Sequence, residues 1–305
     1  MSEPAPKESA SPTELPLPAA PAWFFHGDFG ERRLGVVLPE VGFFDLGRDD
    51  EAALLSEGSL TGTHLRAMAE EGDLFDAPPT RFEVPVRLPS KILCLGKNYA
   101  AHAAELGSAV PDEPFAFAKL ADTLIPHGAE VVIPHWLETR VDHEIELALI
   151  LGFDDPHQRG RKYVTRAAAM SLIAGYTIFN DVTARKLQAS DRDLKQPWLR
   201  AKSLDTFGPI GPWVVAADAF DASDRRITLR VDAELRQDAR TSDMVVDLAD
   251  AIVFLSRHFT LRPGDVIATG TPAGIGPLRD GNVMRGEIEG IGALTNPVRK
   301  EVAPA

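Results

Sequence analysis

Residues 141–152 read VDHEIELALILG, and the reading of this stretch decides the fold. Glu144 and Glu146 stand two residues apart in a run otherwise made mostly of Val, Ile and Leu. Side chains on a strand alternate between faces, so a strand here points both carboxylates the same way, roughly 6–7 Å apart. A solvated strand face is the ordinary reading of such a pair. Leu147, Ala148, Leu149 and Ile150, however, continue the run with no outward polar alternation, which predicts burial on both faces. Two ionised carboxylates that close in a low-dielectric wall repel, so either one is protonated or a cation sits between them. Asp181, where the apolar run GYTIF (175–179) ends in Asn-Asp, offers a third carboxylate. Three carboxylates without cysteine form a hard oxygen site of the kind that takes Mg²⁺ or Mn²⁺.

The pattern around this stretch is β-rich. KILCLG (91–96), EVVIP (130–134), AGYTIF (174–179), GPWVV (211–215), ITLRVDAEL (227–235), GDVIATG (264–270) and GEIEGIGAL (286–294) are short strand candidates divided by Gly, Pro and Asp. Helical spacing is rarer. It occurs in YAAHAAEL (99–106), which stops at Gly107, and in VVDLADAIVFLSRHF (245–259), with Val246, Ile252, Leu255 and Phe259 near helical intervals. Many strands and few helices predict a β-rich α+β fold with a folded-over, barrel-like sheet, not a doubly wound one. Upstream, residues 23–86 combine short apolar runs with two helical patterns and predict a small N-terminal α+β domain, the prolines from Pro78 to Pro89 reading as a linker into a domain over 87–300. Residues 1–22, rich in Pro, Ser, Ala and Glu, read as a flexible tail.

Three further groups carry chemistry. His102 and Glu105 lie three apart and share a helix face. They are either an exposed link on an alanine-rich surface or a carboxylate that orients an imidazole as a general base for water. Lys202, in RAKSLDTFGPIGPW (200–213), is either a surface lysine or a positive charge facing a developing anion. Arg185 and Gln188 are co-facial on a helix expected to open just after Asp181, and they either dress its surface or bind a carboxylate. The glycines of GTPAGIG (270–276) lack the Lys-Ser/Thr ending of a phosphate loop, which argues against nucleotide binding.

The chain has 305 residues, with 32 Lys and Arg against 45 Asp and Glu, a net charge of −13 that disfavours nucleic acid as a partner. The single Cys94 cannot form an intrachain disulfide. No apolar run approaches the ~18 residues of a spanning helix. A cytoplasmic protein without a membrane partner is the expectation.

Taken in order, GKNYAAHAAELG (96–107), VDHEIELALILG (141–152), GYTIFNDVTARKLQ (175–188), RAKSLDTFGPIGPWV (200–214), the long segment 236–277 and GEIEGIGALTNPV (286–298) resemble the fumarylacetoacetate hydrolase family. The resemblance implies a mixed β-roll core, a homodimer and a divalent metal, Mg²⁺ or Mn²⁺, held by Glu144, Glu146 and Asp181. It implies that His102 and Glu105 activate water on a segment that closes over the substrate. It places Lys202 beside the metal, Arg185 and Gln188 on the substrate pocket, and Thr271 near a substrate carboxylate. Lys186 departs from the acidic residue frequent after Arg185 in relatives. The activity so implied is metal-dependent hydrolysis of a C–C bond in an acylpyruvate or related 3-oxo-carboxylate, as in aromatic catabolism. The runner-up is a decarboxylase or isomerase of an oxo-dicarboxylate, and a catalytically silent binder of a small oxo acid comes third.

Overall fold

The computed structural model describes residues 15–49, 51–56, 61–153 and 160–303. Its centre is the strand Ile145–Leu151, in which every residue is buried. Ile145, Leu147, Leu149 and Leu151 enter one apolar cluster, while Ala148 and Ile150 enter a second on the opposite face. The strand is thus covered on both sides, as the lack of polar alternation predicts. Each large aliphatic side chain so buried contributes about 1.5–3 kcal/mol.

This strand lies between Ile173–Asn180 and Val266–Ala268 in a twelve-stranded mixed sheet. On one side the order continues through Gly208–Ala216, Ala22–His26, Arg33–Leu38 and Gly42–Asp45 to Asp73–Leu74. On the other it continues through Ile92–Gly96, parallel to Val266–Ala268, and ends at Phe115–Lys119. A five-stranded sheet runs Glu234–Arg240, Arg226–Val231, Val283–Ile288, Gly292–Lys300, Val131–Ile133. A three-stranded sheet joins Thr183–Ala184, Val141–His143 and Gly276–Pro277. Helices are few, so the class is sheet-rich α+β. Among the described residues no sheet closes into a barrel, because the large sheet keeps two free edges.

The stretch 227–235, expected as one strand, is two. Arg226–Val231 turns back into Glu234–Arg240 through Asp232 and Ala233, with Asp232 at φ +54°, a left-handed conformation that Asp tolerates. The helix within 245–259 covers only Leu248–His258, because the Asp247 side chain accepts from the Asp250 N–H and caps it. Val246 therefore precedes the helix, and Phe259, just past its end, is exposed.

The N-terminal segment is built into the large sheet. Ala22 and Trp23 pair with Val215 and Val214, and Phe82–Glu83, inside the expected linker, pairs with Ala22–His26. Of the expected tail, residues 1–14 lie outside the described residues. Residues 15–22 pack against the body: the Ala19 N–H donates to Gly290 O at 2.8 Å, and Ala20 and Ala22 are buried. Prolines remove ladder donors, but they do not prevent extended chain from burying its small apolar side chains. Among the described residues no helix is long and apolar enough to cross a membrane.

Candidate active site and metal centre

Glu144 sits where two sheets meet. Val141–His143 belongs to the three-stranded sheet and Ile145–Leu151 to the twelve-stranded one, so the regular ladder breaks at Glu144. Its N–H donates to Asn180 Oδ1 at 2.9 Å, and its carbonyl accepts from the Asp181 N–H at 2.8 Å. The second bond draws Asp181, at the end of the neighbouring strand, against the Glu144 backbone. Glu144, Glu146 and Asp181 are all buried, and each offers a carboxylate oxygen within 4.8 Å of the others'.

The cations are unevenly shared. Lys202 Nζ donates to Glu144 Oε2 at 2.7 Å and also bonds Asp181 Oδ2. Lys119 Nζ donates to Asp181 Oδ1 at 2.7 Å. Arg185 bonds Glu144 Oε1 and, through Nε, Asp142 at 2.8 Å. Burial disfavours the Glu144 charge, but Lys202 and Arg185 outweigh it and hold this carboxyl below the usual carboxylate range. Burial also disfavours the Lys202 ammonium, yet Asp181 and Glu144 overcome that and raise its pKa. Glu146 is different. Its Oε2 accepts the Gly270 N–H at 2.8 Å, and among the described residues it has no Lys or Arg ion pair. Burial, then Asp181, pushes its carboxyl well above the usual range. A hard divalent cation fits this donor set, because it would supply to Glu146 the positive charge that lysines supply to the other two.

His102 is buried on the short helix Ala100–Glu105, and its Nδ1 lies 3.1 Å from Glu105 Oε2. A carboxylate can only accept, so Nδ1 donates to it, and in the neutral imidazole this tautomer puts the lone pair on Nε2. Glu105 Oε1 in turn accepts the Gly274 N–H at 3.1 Å. Gly274 has φ +101°, and a Cβ there would lie 2.0 Å from Arg236 O, so only glycine fits. The segment 269–274 therefore holds Glu146 through Gly270 and Glu105 through Gly274.

Of the nine residues expected from the sequence, all but Glu105 line one cleft of about 140 Å³, and Glu105 stands behind His102. Two have their polar groups committed. Arg185 also donates to Gln188 Oε1 at 2.7 Å, so its guanidinium is taken up by Asp142, Glu144 and Gln188. Thr271 donates its hydroxyl proton to Ile145 O at 2.8 Å and accepts from Gln237 Nε2 at 2.8 Å. Sequence reasoning missed Lys119, Asp142, Asn180 and Gln237. Lys119 had one signal, a lone lysine ending the apolar strand FAFAK. Gln237, in a strand of alternating charge, had none.

Residues 91–299 match the fumarylacetoacetate (FAA) hydrolase C-terminal family. The chain is 41% identical over 215 residues to the mitochondrial oxaloacetate tautomerase of Arabidopsis thaliana, covering 70% of this chain and 93% of that one. The structure of 5-carboxymethyl-2-hydroxymuconate delta-isomerase from Mycobacterium smegmatis matches with a TM-score of 0.72 and 32% identity, covering 92% of this chain and 100% of that one. Fumarylpyruvate hydrolase from Pseudomonas aeruginosa, solved with Mn²⁺ and pyruvate, matches with a TM-score of 0.65 and 35% identity over 73% of this chain and 93% of that one. Of these proteins one is named a tautomerase, one an isomerase and one a hydrolase. By sequence and by fold the chain belongs to the fumarylacetoacetate hydrolase family of metal-dependent enzymes.

Proposed function

We propose that the protein is a divalent-metal-dependent hydrolase that cleaves a C–C bond in an acylpyruvate or related 3-oxo-carboxylate. The observation that carries this reading is the relay from Gly274 N–H through Glu105 to His102, which leaves the Nε2 lone pair free to take a proton. Mg²⁺ or Mn²⁺ held by Glu144, Glu146 and Asp181 would supply Lewis acidity toward the keto and carboxylate oxygens of a 2-oxo acid. Three carboxylates, two lysines and a divalent cation leave one positive charge in a buried wall, which favours an anionic substrate. In the hydrolytic step His102 Nε2 takes a proton from water and the water oxygen bonds to the distal carbonyl carbon. The C–C bond then breaks, its electron pair passes into the enolate of pyruvate, and the proton taken up by His102 is returned to the enolate carbon, giving pyruvate and a carboxylic acid. Lys202 and Lys119 hold Asp181 in place throughout.

A second reading is favoured by the 41% identity to an oxaloacetate tautomerase: His102 then moves a proton at the carbon beside the keto group, and no C–C bond breaks. In either reading the protein is expected to be a homodimer, which light scattering tests. The deciding experiment is turnover of acetylpyruvate, fumarylpyruvate and oxaloacetate, with Mn²⁺ or Mg²⁺ and with EDTA, for wild type and His102→Ala. Metal-dependent pyruvate release from acetylpyruvate or fumarylpyruvate that needs His102 supports the hydrolase. Keto–enol exchange of oxaloacetate without cleavage of either acylpyruvate overturns it in favour of the tautomerase, and loss of CO₂ from oxaloacetate alone overturns it in favour of a decarboxylase.

A further inference from the structure

We propose that Gln237 is a positioning residue whose carboxamide sets the metal-ligand strand and the His102–Glu105 pair in register with each other. The inference rests on the metal-site reading above and concerns a residue that does not line the cleft.

In the strand Glu234–Arg240 Gln237 is the one buried residue, with no exposure at all, where a sheet face would ordinarily place an apolar side chain. A carboxamide buried there is costly unless its donors and acceptors are all used, and here they are. Oε1 accepts from His143 Nδ1 at 3.0 Å and from the Ile145 N–H at 3.1 Å. Nε2 donates to Thr271 Oγ1 and to Pro272 O, both at 2.8 Å. The orientation is unambiguous, because the Ile145 N–H can only donate and the Pro272 carbonyl can only accept.

Those four partners fall on two sides. His143 and Ile145 flank Glu144 at the ladder break, so the Gln237 oxygen supports the backbone on which Glu144 and Glu146 are carried. Val266–Ala268, the neighbouring strand on that side, pairs only with Ala148–Ile150, which leaves the Ile145 N–H to be satisfied from another sheet. Thr271 and Pro272 lie in the segment whose Gly270 N–H holds Glu146 and whose Gly274 N–H holds Glu105. One carboxamide thus touches both the carrier of the carboxylates and the carrier of the proton relay. Outer groups of this kind are worth 10- to 100-fold in metal affinity or activity.

The test is Gln237→Met, which keeps the length of the side chain and removes all four bonds. Mn²⁺ binding is read by the EPR signal of free Mn²⁺, with Asn296→Leu as comparison. Asn296 is a second buried carboxamide, donating to Pro126 O and Ala129 O, and touches neither carrier. The expected result is a 10- to 100-fold weaker Mn²⁺ Kd in Gln237→Met and, at saturating Mn²⁺, a lower kcat for acetylpyruvate or oxaloacetate with KM little changed. Asn296→Leu lowers Tm and leaves Mn²⁺ affinity and kcat alone. Should the Met variant fail to fold, Gln237→Glu keeps the acceptors toward Ile145 and loses donors toward the loop, so kcat falls further than Mn²⁺ affinity. Saturable Mn²⁺ binding in wild type with the same Kd and kcat in the Gln237 variants overturns the positioning role alone. No saturable Mn²⁺ binding in wild type overturns the metal reading and this inference with it.

Discussion

Two regions of the twelve-stranded sheet, its N-terminal strands and its central strand Ile145–Leu151, are both buried and hold together differently. Toward the N-terminal end, Phe24 packs edge-on against Phe43 and Phe82, and both of these meet Trp213. That region is held chiefly by packed aromatic rings, and its buried polar element is a single cluster in which His26 meets Asp45 at 3.2 Å and Arg33 meets Asp45 at 2.6 Å. Around Ile145–Leu151 the sheet instead buries Asp142, Glu144, Glu146 and Asp181 with Lys119 and Lys202. Charge that is so deeply buried weakens a fold unless it is paired, and breaking one such pair costs far more than the pair contributes. The expected division is that the first region carries stability and the second carries chemistry.

That division can be broken by experiment. The largest expected effect is at Glu146: Glu146→Gln removes one of the three carboxylates proposed to hold the metal and should abolish both Mn²⁺ binding by EPR and turnover, as EDTA should in wild type. A Glu146→Gln protein that retains both would show that the acidic cluster is only structural. His102→Ala comes next. It should lower the hydrolytic rate about 10²- to 10⁴-fold with Mn²⁺ affinity unchanged, the range a positioned general base supplies.

Phe24→Ala should do the reverse. Removing a fully buried aromatic ring costs about 3–5 kcal/mol, seen as a lower Tm and denaturation midpoint, while kcat per folded molecule and Mn²⁺ affinity hold. Equal loss of activity and stability would mean that the two regions are coupled.

The smallest effect concerns pH. His127, whose ring packs on Phe82, has its pKa lowered to about 4 by burial and then by Arg285. The folded protein thus prefers the neutral ring, and between about pH 6.5 and 4 the unfolded chain binds the extra proton. The stabilisation is present above pH 6.5 and is lost as pH falls toward 4, by at most about 3 kcal/mol. His127→Gln should flatten this part of the stability–pH curve and leave the activity profile unchanged.

Much of the site was legible because its determinants are local in sequence. Period-two spacing put Glu144 and Glu146 on one face, three-residue spacing paired His102 with Glu105 and Arg185 with Gln188, and an apolar strand ending in Asn-Asp marked Asp181. Each pattern has a short-range geometric cause. Lys119 and Gln237 were not legible, since their partners lie 62 residues away at Asp181 and 92 and 34 residues away at Ile145 and Thr271. No local spacing encodes such a contact. The packing of residues 15–22 failed to show for the same reason: proline-rich composition describes the chain's own preference, whereas the Gly290 carbonyl that receives the Ala19 N–H belongs to a distant turn.

The sequence by itself determined many of the strands and helices, that the central strand is buried on both faces and which residue types could supply the chemistry, because side-chain periodicity and turn residues act over a few positions. The tertiary structure decided the rest. It set the ladder break at Glu144, the placing of two lysines and an arginine on Glu144 and Asp181 but none on Glu146, and the segment 269–274 that ties Glu146 to Glu105. Electrostatic and hydrogen-bond energies depend on distance in space, and only the folded sheet sets those distances.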